Sequence, residues 1–212
     1  MSTKPSSQAP SSQSPAPTSS STDSSPPDAQ SSELQAPDLR VEEATEFALW
    51  LSLRGSVGDP WRAVIEGLAQ ELDGPVFAPH VTLWGGFRRS LAQAQKEVEV
   101  LTRDLAPIPL RGSGVGLADD FYRALFVPLA TTPELWRARR AAGELLAPGA
   151  SADYLPHLSL FYGSQPAALK LDALARQESL PALEAVADAV SLVSLDGPPE
   201  SWKTYAMLPL RG

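Results

Sequence analysis

Hydrophobic and polar residues alternate with a period of two in several short segments of the chain. Because side chains two positions apart share a face of a strand, residues 45–53 predict a strand with Phe47, Leu49 and Leu51 on one face and Trp50 on the other. Residues 182–195 fit helix or strand on pattern alone, and their β-branched second half favours a strand. Similar patterns predict strands over residues 80–87, 108–117, 121–129, 157–162 and 202–210, with a turn at Asp119-Asp120.

Other segments carry apolar residues with the helical period. A helix is predicted from Pro60, with Asp59 as its N-cap, to a stop at Gly74. Ser90 followed by Gln93 has the pattern of a capping box at the start of a second helix. Two further helices are predicted over residues 132–146 and 166–177. Strands and helices that mix without a regular strand–helix alternation predict an α+β fold.

Composition divides the chain into two parts. Residues 1–40 are dominated by Ser, Pro, Gln, Ala and Thr, and no aromatic residue precedes Phe47. Such a segment buries too little apolar surface to offset its chain entropy, so we expect a disordered Ser/Pro-rich tail. Residues 41–212 are long enough for one domain with its own core.

Charge and cysteine content exclude several classes of function. The formal net charge is −8, so a surface that binds long nucleic acid is not expected. The chain has no cysteine, which excludes disulfides, thiolate catalysis and cysteine-based zinc sites. No apolar run is long enough for a membrane helix, and no secretory or transit signal is present. We therefore expect a monomer in the cytoplasm without membrane partners.

The only two histidines lie in the same local sequence, Pro-His-x-Ser/Thr-Leu. His80 is followed by Thr82, and His157 by Ser159. On a strand, each histidine and its hydroxyl residue share one face, about 6.5–7 Å apart. If the two strands are neighbours, these four polar side chains surround one small cleft.

Such a cleft suits the opening of a cyclic phosphodiester. One neutral imidazole takes a proton from an attacking water, the other gives a proton to the departing ribose oxygen, and the hydroxyls donate to phosphate oxygens. The sequence does not decide which histidine is the base. Two histidines are too few for zinc, which takes three or four protein ligands, so no metal or other cofactor is expected. The chain also lacks the Gly-x-Ser-x-Gly elbow of serine hydrolases.

The two His-x-Ser/Thr-hydrophobic motifs resemble those of the two-histidine phosphoesterase superfamily, and within it the cyclic phosphodiesterase-like proteins. The similarity extends over about residues 45–210 and includes a Trp-bearing first strand, an aromatic pair at Phe121-Tyr122, residues 154–163 and Ser201-Trp202-Lys203.

The resemblance implies a bilobal α+β fold with two antiparallel-sheet lobes, outer helices and a central cleft. It implies metal-independent hydrolysis of a small cyclic nucleotide, either ADP-ribose 1″,2″-cyclic phosphate or a nucleoside 2′,3′-cyclic phosphate. The implied site consists of His80 and His157 as the acid–base pair, Thr82 and Ser159 as phosphate-binding residues, and Tyr162, Trp50 and Tyr122 against the nucleotide.

Three questions about side chains near this site stay open in the sequence. Tyr162 faces away from His157 on a regular strand, so a bend is needed to bring it to the cleft. Trp202 is expected to pack on the sheet rather than to contact a ligand. Arg123 and Lys203 are the candidates for positive charge near a phosphate.

Three alternative functions also remain. One is RNA-end processing, as in RNA 2′,3′-cyclic phosphodiesterases and 2′-5′ RNA ligase-like proteins. The second is a nucleotide-binding module without turnover. The third is an interaction protein that docks through its tail, although the tail has no clear Pro-x-x-Pro ligand with basic flanks.

Overall fold

Seven antiparallel strands form the main sheet of the protein. The computed structural model describes residues 44–150, 153–177 and 179–212, so the expected tail over residues 1–40 lies outside the described part. The strand order is β4-β5-β6-β2-β1-β8-β9, and β3 and β7 pair separately. The strands are β1 (Thr45–Ser52), β2 (His80–Arg89), β3 (Ile108–Gly112), β4 (Gly116–Leu117), β5 (Leu125–Pro128), β6 (His157–Phe161), β7 (Leu183–Ala187), β8 (Ala189–Ser194) and β9 (Lys203–Pro209).

Four helices pack against the sheet and share one apolar core with it. The inward positions of β1 join this core, while Ala48 and Trp50 lie on the opposite side in a separate small cluster. The alternation predicted for the first strand is therefore confirmed, and the predicted α+β class with it. The helices are α1 (Gly55–Leu72), α2 (Leu91–Arg103), α3 (Pro133–Leu146) and α4 (Ala167–Ala175).

The main sheet has a narrow seam at its centre. Strands β2 and β6 pair at a single position, Val81 opposite Leu158, whereas β1 and β2 pair along most of their length. The sheet thus divides into two halves, β4-β5-β6 and β2-β1-β8-β9, which meet along their motif strands. This arrangement is the bilobal fold that the resemblance implies.

Two predicted helix starts agree with the structure. The Ser90 side chain caps α2 by accepting a hydrogen bond from the Gln93 amide, and Thr132 caps α3 by accepting from the Leu135 amide. The second half of the capping box, from the Ser90 amide to the Gln93 side chain, does not form among the described residues, and the Gln93 side-chain nitrogen donates to Glu97.

The predicted start of α1 was wrong, whereas its end agrees with the predicted stop at Gly74. The helix begins at Gly55, so Pro60 lies inside it rather than in its first turn. Its C-cap is Asp73, which adopts the left-handed conformation with φ 52°. The Gly74 amide then donates to the Ala69 carbonyl at 2.9 Å, and a Cβ at Gly74 would lie 2.3 Å from the Phe161 ring. A local hydrogen bond and close packing thus coincide at this end of the helix.

The predicted strands over residues 108–117 and 121–129 were also wrong in part. The first divides into β3 and β4, which belong to different sheets. The second begins with a 3₁₀ turn, Phe121–Arg123, before β5 starts. Gly114 separates β3 from β4 with φ 71°, a conformation that glycine adopts without strain. Among the described residues, no helix is long and apolar enough to cross a membrane.

Two side chains from outside β2 hold its backbone next to the first motif. The Tyr154 hydroxyl donates to the Thr82 carbonyl at 3.0 Å, and Arg139 donates to the Leu83 carbonyl at 2.9 Å. The Arg139 guanidinium lies 3.7 Å from the Trp84 ring centre and 4.9 Å from that of Tyr154. These contacts fasten α3 and the segment before β6 to β2.

We predict that Tyr154→Phe lowers the free energy of unfolding by about 1–2 kcal/mol, because the Thr82 carbonyl loses its side-chain donor. Urea denaturation measures the change. Tyr205→Phe on β9 is the matched control, since that ring is largely exposed, and we expect a change within about 0.5 kcal/mol. Equal effects of the two substitutions would contradict the assignment.

Candidate active site

The two histidine motifs lie side by side at the centre of the sheet. Val81 and Leu158 face the helical core, which places His80, Thr82 and the equivalent residues of β6 on the open face. The condition set by the sequence, that the two motif strands are neighbours, is fulfilled. Four polar side chains from two strands therefore line one cavity.

Each motif strand carries a β-bulge at the same place. In β2, Thr82 and Trp84 pair with consecutive residues of β1, so Leu83 is the extra residue. In β6, Ser159 and Phe161 pair with consecutive residues of β5, so Leu160 is the extra residue. Both bulges come three residues after the histidine and reverse the side-chain alternation beyond it.

The bulge in β6 supplies the bend that the sequence required for Tyr162. Leu160 and Phe161 both enter the core, and Tyr162 then lines the cavity together with His157. Burial, first of all, raises the pKa of Tyr162, a hydrogen bond with Ser159 opposes the shift, and Tyr122 adds to it. Tyr162 is thus a neutral hydroxyl at the cavity wall.

Both imidazoles are held in the same way. His80 Nδ1 lies 2.7 Å from the Ala78 carbonyl oxygen, and His157 Nδ1 lies 2.8 Å from that of Leu155. A carbonyl oxygen only accepts, so in each neutral ring Nδ1 carries the hydrogen and Nε2 carries the lone pair. Neither Nε2 has a hydrogen-bond partner among the described residues. The nitrogen suited to acid–base chemistry is therefore available in both rings.

The prolines of the two motifs help to place these carbonyls. Pro79 and Pro156 each separate the histidine from the residue whose carbonyl it contacts. A proline restricts the residue before it to an extended conformation. Each histidine therefore meets its carbonyl partner within a locally stiffened segment.

The environments of the two rings differ. His80 is 3% exposed and stacks on Trp50, with ring centres 3.6 Å apart. Burial is the main cause that lowers the pKa of His80 to about 4; the Ala78 carbonyl opposes this shift, and the charge of His157 adds to it. The His80 ring is thus held neutral at neutral pH.

His157 is less deeply buried and has charged neighbours. Burial, first of all, lowers its pKa, and the hydrogen bond to Leu155 opposes that shift. Arg123 lowers the pKa further, whereas the Asp120 carboxylate raises it. The edge of the His157 ring also meets the Phe126 ring, 5.3 Å away between centres.

The two motif hydroxyls are in different states. The Ser159 hydroxyl donates its hydrogen to the Tyr122 carbonyl at 3.0 Å. The Thr82 hydroxyl makes no hydrogen bond among the described residues and faces the cavity. Thr82 is ready to donate to a ligand, while Ser159 must first release its present acceptor.

The cavity has a volume of about 440 Å³ and is lined by all seven residues of the implied site. It also contains residues that sequence reasoning missed or placed elsewhere. Its lining consists of Glu46, Ala48, Trp50, His80, Thr82, Gly85, Asp120, Tyr122, Arg123, His157, Ser159, Tyr162, Leu195 and Trp202.

Trp202 packs on the sheet as expected, against the cluster of Ala48, Trp50 and Val193, and it also joins an aromatic wall of the cavity. Its ring centre lies 5.8 Å from those of Trp50 and Tyr122. Trp50 is only 5% exposed because His80 covers it, whereas Tyr122 is 52% exposed. Tyr122 and Trp202 thus offer more open aromatic surface than Trp50. Lys203, the other suggested cation, is exposed on β9 and does not line the cavity.

Among the described residues, no group of three or more His, Asp or Glu side chains is arranged to hold a metal ion. The polar groups of the cavity include the two imidazoles, the hydroxyls of Thr82 and Ser159, two tyrosine hydroxyls, Glu46 and the Arg123–Asp120 pair. Imidazoles can donate and accept protons, and hydroxyl and guanidinium groups can donate to an anion.

Comparisons with known proteins identify the family and the fold of the chain. The family model of the 2′-5′ RNA ligase superfamily matches residues 56–199. A cyclic phosphodiesterase of Arabidopsis thaliana is 27% identical over 175 residues, which cover 77% of this chain and 94% of that protein.

Solved structures show the same fold. A Thermus thermophilus protein has a TM-score of 0.53 at 21% identity and covers 79% of this chain and 98% of its own. LigT of E. coli, solved in complex with 3′-AMP, has a TM-score of 0.54 at 13% identity and covers 80% of this chain and 99% of its own. At these identities the likeness extends to the fold alone.

The low pKa of His80 predicts a loss of stability in acid. Above about pH 6.5 the ring is neutral in both states, so it contributes no pH dependence. As the pH falls from about 6.5 to about 4, His80 becomes protonated in the unfolded chain but stays neutral in the native protein. We expect this to remove about 2–3 kcal/mol of unfolding free energy between about pH 7.5 and pH 4.5.

His80→Asn is the comparison for that measurement, because asparagine retains a donor for the Ala78 carbonyl but does not titrate. Urea denaturation at both pH values gives the pH-dependent loss for each protein. Carboxylates titrate in both proteins, so the difference between the two losses isolates His80. Equal losses would contradict a depressed pKa.

Proposed function

The chain belongs to the 2′-5′ RNA ligase superfamily, and from this premise we propose that it is a metal-independent cyclic phosphodiesterase. Its proposed substrate is a small cyclic nucleotide, either ADP-ribose 1″,2″-cyclic phosphate or a nucleoside 2′,3′-cyclic phosphate. The observation that carries the proposal is the pair of imidazoles, each with Nδ1 fixed by a carbonyl, that line one cavity. The Arabidopsis relative bears the name of the same activity.

His80 is the proposed general base. Its ring is neutral at neutral pH because it is deeply buried, so Nε2 can accept a proton from water. The water oxygen then forms a bond to phosphorus. His80 ends this step with the proton, and the stack on Trp50 keeps the ring in place throughout.

His157 is the proposed general acid. Burial lowers the pKa of His157, but His157 is less buried than His80. Both the Leu155 carbonyl and the Asp120 carboxylate oppose the shift in this pKa, while Arg123 adds to it. As the bond from phosphorus to the ribose oxygen breaks, His157 Nε2 gives its proton to that oxygen. Attack and departure occur on opposite sides of phosphorus, so the base and the acid must lie on opposite sides of it. His80 and His157 come from two different strands, β2 and β6, which suits this requirement. Exchange with solvent resets both protonation states.

The hydroxyls of Thr82 and Ser159 are proposed to bind the non-bridging phosphate oxygens. Thr82 can donate as it stands, and Ser159 can donate after it turns from the Tyr122 carbonyl. Tyr162 and Tyr122 are proposed to line the nucleotide subsite, with Trp50 acting mainly through His80.

RNA-end processing is the second candidate, because the matching family is named for RNA ligation. The net charge of −8 favours a small nucleotide over a long polyanion. Assays with EDTA present should therefore compare ADP-ribose 1″,2″-cyclic phosphate, 2′,3′-cyclic AMP and a short RNA that ends in a 2′,3′-cyclic phosphate. Turnover of the RNA alone would favour the second candidate, and binding without turnover would favour a nucleotide-binding module.

We predict that His80→Asn and His157→Asn each lower kcat/KM by about 100-fold or more, the usual effect of losing an acid or base. Both substitutions retain a donor near the position of Nδ1. Phosphorus NMR follows the conversion of the cyclic phosphate, and circular dichroism verifies folding. Tyr205→Phe, far from the motif strands in sequence and exposed on β9, is expected to keep normal turnover.

The pH dependence of kcat/KM separates the two roles. Because both pKa values are lowered, the optimum should lie on the acid side of neutrality. His80→Asn should remove the fall in rate at low pH, and His157→Asn the fall at high pH. The reverse pattern would exchange the two roles, and near-normal turnover of either variant would refute the mechanism.

A further inference from the structure

Arg123 ends the 3₁₀ turn between β4 and β5 and lines the cavity. Asp120 begins that turn, where its side chain accepts a hydrogen bond from the Tyr122 amide at 3.0 Å. One turn later, the Arg123 guanidinium lies on the same side as Asp120. Their closest atoms, Nη2 and Oδ2, are 3.7 Å apart, which is too far for a hydrogen bond. Asp120 therefore attracts the Arg123 guanidinium by charge but accepts no hydrogen bond from it.

The guanidinium of Arg123 has a buried donor that is not used. Its Nε is buried and has no hydrogen-bond partner among the described residues. A buried donor without an acceptor is costly, so a movement that brings the Arg123 guanidinium to an acceptor in the cavity would relieve that cost. The guanidinium carbon lies 5.9 Å from the centre of the Phe126 ring, and that ring meets His157. The Arg123 guanidinium is thus on the β6 side of the cavity.

The two halves of the cavity differ in what they offer an anion. On the β2 side, Thr82 presents a hydroxyl that makes no other hydrogen bond among the described residues. On the β6 side, the hydrogen of Ser159 is committed to the Tyr122 carbonyl. A phosphate between the histidines would therefore find a ready hydroxyl on one side only, and Arg123 is the available donor on the other.

We propose that Arg123 is a phosphate-binding residue of this cavity, and that its guanidinium donates to the non-bridging oxygens of a nucleotide phosphate held between the two histidines. This inference rests on the proposed function for the position of the phosphate. The planar guanidinium matches two phosphate oxygens at once, which a lysine cannot do. Among the described residues that line the cavity, which include the carboxylates Glu46 and Asp120, Arg123 is the one lysine or arginine.

Calorimetric titration of the full chain with 3′-AMP and with adenosine tests the proposal, because the two ligands differ by the phosphate. Arg123→Met should weaken 3′-AMP binding by about 10- to 100-fold, as expected for lost charge-assisted hydrogen bonds. Adenosine binding should stay unchanged. Arg103→Met is the matched control, since that side chain is 69% exposed on α2, and it should bind both ligands as the unmodified protein does.

Arg123→Lys keeps the positive charge near Phe126 and serves as the second variant. It should recover only part of the lost affinity, because it lacks the planar fork. Unchanged 3′-AMP binding in both Arg123 variants would overturn the proposal. Equal weakening of 3′-AMP and adenosine would also overturn it, because Arg123 would then only maintain the shape of the cavity. The same holds if the unmodified protein binds 3′-AMP no better than adenosine.

The binding test does not depend on turnover. Arg123-dependent binding of 3′-AMP in a protein that hydrolyses no cyclic phosphate would support the inference and refute the proposed function. If the protein hydrolyses a cyclic nucleotide but Arg123→Met binds 3′-AMP normally, the proposed function would be supported and the inference about Arg123 would be refuted.

Discussion

A hydrogen bond from each imidazole to the carbonyl two residues before it is the interaction on which the site depends. It fixes the tautomer, since the carbonyl can accept only from Nδ1–H, and it leaves Nε2 with its lone pair. The proline between carbonyl and histidine stiffens the segment that makes this bond. Neighbouring central strands then bring the two rings to one cavity. The sheet thus positions the two rings, and the local motif sets the tautomer of each ring.

The same motif has different properties in its two copies because burial differs. His80 is enclosed by Trp50 and Phe77, so its charged form is disfavoured. His157 lies beside Asp120 and Arg123, which act on its pKa in opposite directions. An acid–base pair needs one group that accepts a proton and one that donates. The unequal surroundings of the two rings are the basis for the division of roles that we propose.

Much of this arrangement could be predicted from the sequence, because it rests on short-range patterns. The alternation around Trp50 identifies β1 and its two faces, and the Ser90 and Thr132 caps identify two helix starts. The repeated motif identifies two histidines and two hydroxyl residues of the cavity, which are His80, Thr82, His157 and Ser159. Each of these signals lies within a few residues of the feature it predicts.

The rest depends on register and on contacts between distant segments. The bulges at Leu83 and Leu160 change which side chains face the cavity, and no period in a single sequence reveals a one-residue shift. Arg123 reaches the cavity through a 3₁₀ turn that resembles the start of a strand. Trp202 reaches the cavity because it directly precedes β9, the edge strand that pairs with β8.

A double-mutant cycle tests most directly whether the two histidines act as one catalytic unit. The measurement is kcat for a cyclic nucleotide with His80→Asn, His157→Asn and the double variant. If both rings serve the same transition state, the double variant should be about as slow as the slower single variant. Losses that multiply would show that the two residues act independently, and would contradict the acid–base pair.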